Sequence, residues 1–77
     1  MAVSTTMWEV VAAEGQVEHL LEWVRQRLAP SAQLYRSADG QERVVVIDPT
    51  GQARVALADC PESLLQRPPH AWDFDRL

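Results

Sequence analysis

The chain has 77 residues, 47% of them hydrophobic, with a single cysteine and a formal net charge of −4. So short a chain builds one compact core rather than two, and one cysteine leaves no intramolecular disulfide to support it, so added stability has to come from a metal or a partner. All seven basic residues are Arg, they form no positive stripe, and no run approaches the roughly 20 apolar residues of a membrane span, which argues against nucleic-acid and membrane partners.

The opening MAVSTTMWEVV lacks the basic start and continuous apolar stretch of a secretory leader, so a cytoplasmic protein is expected. The absence of Lys and Asn, with abundant Arg and Ala, looks like the codon usage of a high-GC bacterial genome. Residues 1–5 read as a loose terminus and 6–77 as a single domain. Thr6 to Ala13 is predicted as a strand that is largely apolar on both faces. Trp8, Val10 and Ala12 lie on one side and Met7, Val11 and Ala13 on the other, where Glu9 intrudes.

After Gly15, apolar residues at Val17, Leu20, Leu21, Val24 and Leu28 follow the spacing of an amphipathic helix over Gln16 to Ala29, ended by Pro30. Gln33 to Ser37 and Glu42 to Ile47 then form a hairpin around Ala38-Asp39-Gly40. A two-residue Asp-Gly turn would set Arg36 opposite Arg43. A three-residue loop sets Arg36 opposite Glu42 and Tyr35 opposite Arg43, and is electrostatically better. Val44 to Ile47 is apolar on both faces and is expected to be central.

Asp48-Pro49-Thr50-Gly51 is a turn, and QARVALA after it is expected to be irregular or shortly extended, with a weak helix capped by Asp48 as the alternative. Asp59-Cys60-Pro61-Glu62 carries the signals that start a short helix through Leu64 and Leu65, which Pro68 and Pro69 stop. The last segment alternates His70, Trp72, Phe74 and Arg76 against Ala71, Asp73, Asp75 and Leu77, the pattern of a half-buried strand.

Strand, helix, strand, strand, short helix, strand is the β-α-β-β-α-β order of an α+β, ferredoxin-like fold, with an antiparallel sheet carrying both helices on one face. The other face would be bare and apolar, which predicts a homodimer formed face to face, with Val45, Ile47 and the helix residue Trp23 as interface candidates.

The order of elements, the size and the ending HAWDF after PESLL resemble the dimeric α+β-barrel proteins, in particular small members akin to the antibiotic-biosynthesis monooxygenases. The resemblance spans about Trp8 to Phe74 and implies a dimer. In the oxygenase branch an Asn and a Trp commonly serve catalysis, and a His joins them in the haem-degrading branch. This chain has no Asn, so that part of the pattern is absent.

His70 and Trp72 share a strand face, so a small aromatic ligand could be stacked by Trp72, walled by Trp8 from the neighbouring strand, and touched by His70 as a catalytic base. The alternative is that Trp72 and Phe74 fill the core beneath the first helix with His70 at the strand mouth, packing being the commoner use of aromatic side chains. Trp23 lies off the apolar stripe beside Arg27, where either a cation–π contact or a partner surface would use it. His19 and Glu22 have a spacing compatible with metal ligation, but without CxxC, HxxxH or HExxH the pair reads as a solvated helix face; neither metal nor cofactor is expected. Cys60, near a helix start but between Asp59 and Glu62, is a weak nucleophile candidate.

Overall fold

The computed structural model describes residues 4–77. Of the terminus expected to be loose, residues 1–3 lie outside the described residues, while Thr5 already pairs with Phe74. The elements are β1 (Thr5–Val11), α1 (Val17–Arg25), β2 (Gln33–Arg36), β3 (Arg43–Asp48), α2 (Ala53–Ala56), a short 3₁₀ helix (Glu62–Leu64) and β4 (His70–Phe74). They form a small α+β structure around one antiparallel sheet in the order β2-β3-β1-β4. The two strands with apolar residues on both faces, β1 and β3, occupy the centre. Among the described residues no helix is long and apolar enough to cross a membrane.

Alternation along the central strands separates two faces. Thr6, Trp8 and Val10 of β1 and Val44, Val46 and Asp48 of β3 are buried. They pack with Val17, Leu20, Leu21 and Val24, the apolar stripe of α1, and with Ala53 and Leu57 from α2 and its end. Each fully buried Leu or Val contributes about 1.5–3 kcal/mol relative to exposure, so this layer supplies most of the stability. Met7, Glu9, Val11, Val45 and Ile47 point the other way and are only half-buried.

The helix α1 begins after a turn in which Gly15 takes φ 76°, a conformation that other residues adopt at a cost. It stops at Arg25, short of the expected Ala29. The Arg27 N–H bonds to the Val24 carbonyl at 3.0 Å, tightening the last turn, and Pro30 bars continuation.

Both expected hairpin registers are corrected: Arg36 faces Val44, and Tyr35 faces Val45. The loop is longer because its groups are used elsewhere. The Ser37 hydroxyl donates to the Gln41 carbonyl, the Asp39 carboxylate accepts the Gln41 N–H at 3.1 Å, and the Glu42 carbonyl accepts the Ala12 N–H at 2.7 Å. Arg36 finds its acid on α1 instead, donating to Glu18 at 2.8 Å.

The segment after β3 is also corrected, from irregular or extended to the helical alternative. Asp48 is buried, and its carboxylate accepts from the Thr50 N–H at 2.9 Å, the Thr50 hydroxyl at 2.7 Å and the Gln52 N–H at 3.1 Å. Those bonds fold the turn back and satisfy a donor at the start of α2. By contrast, the helix expected at Asp59-Cys60-Pro61-Glu62 shrinks to one 3₁₀ turn with Pro61 extended before it and no side-chain cap. Its end is tied to β1 by Ala13 N–H to Leu64 carbonyl and Gln66 N–H to Val11 carbonyl, both 2.9 Å.

Candidate functional site

In β4 the pairing sets His70 opposite Glu9, Ala71 opposite Trp8, Trp72 opposite Met7, Asp73 opposite Thr6 and Phe74 opposite Thr5. Cross-strand partners share a face, so His70, Trp72 and Phe74 lie on the sheet side away from the helices. The expectation that Trp72 and Phe74 fill the core beneath α1 is therefore corrected: they are 43% and 52% exposed. Polar bonding fixes this orientation. The Thr6 hydroxyl donates to the Asp73 carboxylate at 2.8 Å, and Arg54 reaches its other oxygen at 3.2 Å. Ala71, opposite Trp8, packs against the core instead.

Trp8, only 3% exposed, belongs to the helix-covered core and lies on the face opposite Trp72. Trp8 therefore does not join Trp72 and His70 in one pocket. The open face instead gathers Met7, Val45, Ile47, Trp72, Phe74 and Tyr35, the last 51% exposed. Trp23 does not belong to that surface: it is on α1, partly buried against the core, with the Arg27 guanidinium 4.1 Å from its ring centroid. An Arg27 N–H also donates to the Trp23 carbonyl at 3.0 Å, so the cation–π pair is held from both ends.

At the centre of the open face stands Glu9, whose side chain is 18% exposed. Arg67 approaches its carboxylate at 3.4 Å, Arg43 at 3.8 Å and His70 Nδ1 at 4.0 Å. None of these is the short contact of a strong charge-assisted hydrogen bond, which falls near 2.7–2.9 Å. The Arg43 Nε is buried and has no hydrogen-bond partner. The His70 ring tilts against Trp72, 57° between planes and 5.8 Å between centroids. The group thus combines an imidazole near a carboxylate, an aromatic wall and two guanidinium groups with spare donors.

Glu9 was visible in the sequence as the one charge in an apolar strand. Arg43 and Arg67 were not identified as its companions, since their convergence depends on pairing between distant segments. A cleft of about 370 Å³ at this end of the sheet is lined by Val11, Ala12, Arg43 and Arg67 together with Glu14, Glu42 and two glutamines. A second, of about 520 Å³, lies over Cys60, Leu65, Pro68 and Pro69. Neither includes His70 or Trp72.

The other candidates take no part in this cluster. Burial pushes the Cys60 thiol up to about 11, the nearby Arg27 opposing and Asp59 adding to the effect, so the residue is protonated near neutrality and a poor nucleophile. His19 Nδ1 lies 3.0 Å from the Gln16 side-chain oxygen on the exposed face of α1.

No family model matches the sequence, and no curated protein matches it. Among solved structures, the crystal structure of PA3566 from Pseudomonas aeruginosa is similar, with a TM-score of 0.76 and 18% sequence identity, over 100% of this chain and 96% of that one. At that identity the likeness speaks to fold. Together with the four-stranded antiparallel sheet it fits a ferredoxin-like fold.

Proposed function

We propose that the protein is a homodimeric, ferredoxin-like protein of the α+β-barrel type, akin to the antibiotic-biosynthesis monooxygenases, which holds a small, largely apolar or aromatic molecule against its open sheet face. The observation that carries this reading is the exposure of Trp72, Phe74 and Tyr35 on one sheet face, around His70 and Glu9. Soluble monomers seldom leave a large contiguous apolar patch uncovered, and a second copy related by a two-fold axis is the simplest cover. Val45 and Ile47 lie at the centre of the surface to be covered. Two facing sheets would enclose the space that a single chain leaves open.

In the enzymatic form, a phenol-like substrate lies on Trp72 and His70 takes its hydroxyl proton, with Glu9 stabilising the imidazolium that results. The electron-rich phenolate is then the species that reacts with dioxygen, and the protein supplies shape and exclusion of water. Trp8 has no role in this form, being on the other face.

Light scattering at micromolar concentration is expected to give the mass of a dimer, and Trp72→Arg to give a monomer that keeps its circular dichroism; a monomeric mass for the unaltered chain sinks the dimer. Dioxygen uptake across a panel of hydroquinones is expected to fall in His70→Ala, and unchanged uptake would exclude His70 as the base. A second reading is favoured by the two clefts that omit His70 and Trp72. There the open face only pairs protein surfaces, and the protein is a non-enzymatic interaction module. Absence of uptake and of small-aromatic binding in a protein that still dimerises would select it.

A further inference from the structure

The four strands contain three carboxylates, Glu9, Asp48 and Asp73. Asp48 is buried on the helix-covered face and Asp73 bonds Thr6 there, which leaves Glu9 alone on the open face. Around it stand Arg43 and Arg67, with His70 Nδ1 at 4.0 Å. On the most apolar surface of a chain of net charge −4, two guanidinium groups thus share one carboxylate within 4 Å, with Glu14 and Glu42 lining the adjoining cleft. Glu9 neutralises only one of the two guanidinium groups and holds both loosely. Glu14 and Glu42 line the cleft beside them, but neither forms an ion pair with Arg43 or Arg67 among the described residues.

Covering this face with a second copy would take two such loosely paired guanidinium groups on each side out of water, a costly arrangement unless further acceptors accompany them. An anion fits the spare donors. The Arg43 and Arg67 side chains are 43% and 47% exposed, and each guanidinium can hold a carboxylate through parallel N–H bonds. Trp72 stands two residues beyond His70, about 7 Å along the strand, and offers a flat apolar surface. A molecule joining the two features carries a carboxylate at one end and a ring system at the other.

We infer that the small molecule taken by the open face is an aromatic carboxylate, with its carboxylate on Arg43 and Arg67 and its ring against Trp72. This rests on the reading of the open face as a ligand surface and adds the chemical class of the ligand. Glu9 becomes the group that spaces and aligns the two arginines and limits their affinity for the incoming acid.

Calorimetric titration with naphthoate and with its neutral analogue naphthalenemethanol tests it. Naphthoate is expected to bind roughly tenfold more tightly, and Arg67→Gln to remove that preference. Glu9→Gln is expected to strengthen naphthoate binding, an effect that damage to the fold would not produce. Equal affinity for the two probes, with both lost in Trp72→Leu, would overturn the carboxylate and leave the aromatic surface standing. Binding of neither probe would overturn both. The light-scattering mass judges the dimer separately from all of these outcomes.

Discussion

Along β1, Thr6, Trp8 and Val10 are sealed beneath α1, while their neighbours Met7, Glu9 and Val11 look out from the opposite side of the same strand. The sealed side is a closed system: its polar groups, the Thr6 hydroxyl and the Asp48 carboxylate, have short hydrogen bonds to protein partners. On the open side the ion contacts are 3.4 Å or longer, one buried donor lacks a partner and three aromatic side chains are about half exposed. Polar groups satisfied internally serve a fold, whereas polar groups with capacity to spare beside exposed aromatic rings serve an encounter.

That contrast can be broken by mutation. Leu20→Ala, in the sealed layer, is expected to cost about 2–5 kcal/mol in denaturant unfolding, against less than about 1.5 kcal/mol for Val45→Ala on the open side. Equal losses, measured at matched protein concentration, would mean that the open side is as much a core as the other.

Asp48→Ala leaves two N–H groups and a hydroxyl of the β3–α2 turn without their acceptor, and should cost about 1–3 kcal/mol. A smaller loss would show that water replaces the carboxylate easily and that the sealed side is less closed than its bonding indicates.

Cys60 gives a pH test of the same boundary. Its thiol is raised in the folded chain from 9.0 to about 11, chiefly by burial, so the unfolded chain loses its proton first as pH rises. Stability is therefore expected to fall between about pH 9 and 11 and to be independent of this group below that window. Cys60→Ser should flatten the decline in a pH series of unfolding curves.

The smallest effect is expected from Arg36→Ala. Its pair with Glu18 is 2.8 Å long but largely solvated on both sides, and the change should stay within about 0.5 kcal/mol and shrink further in salt.

Much of the sealed side was legible in the sequence. The apolar spacing from Val17 to Val24 located α1, and the two-faced apolar character of Val44 to Ile47 and of β1 placed those strands at the centre. The open side was misjudged because alternation in HAWDF separates two sets of residues without saying which set is covered. Hydrophobicity favoured burial of the Trp72 and Phe74 set, but pairing Asp73 with Thr6 decided the matter, and that pairing joins segments far apart in sequence. The hairpin register failed for a related reason: cross-strand charges were weighed, whereas loop hydrogen bonds and a contact from β1 to Glu42 fixed it. For the α2 segment the helix capped by Asp48 was the less favoured alternative, because the short ARVA stretch has little helical signal of its own.

The bond between Thr6 and Asp73 has a consequence for how the molecule assembles. It spans 67 residues, and with it the whole β1–β4 ladder closes nearly the full length of the chain. The β2–β3 hairpin and α1 join near neighbours in sequence, whereas β4 reaches its partner β1 only by closing a loop of most of the chain. Closure entropy at such separations is spent before any contact rewards it, so of the three ladders this one carries the largest entropic cost of closure. The strand that carries His70 and Trp72 is thus held in place by the pairing of greatest sequence separation in the sheet.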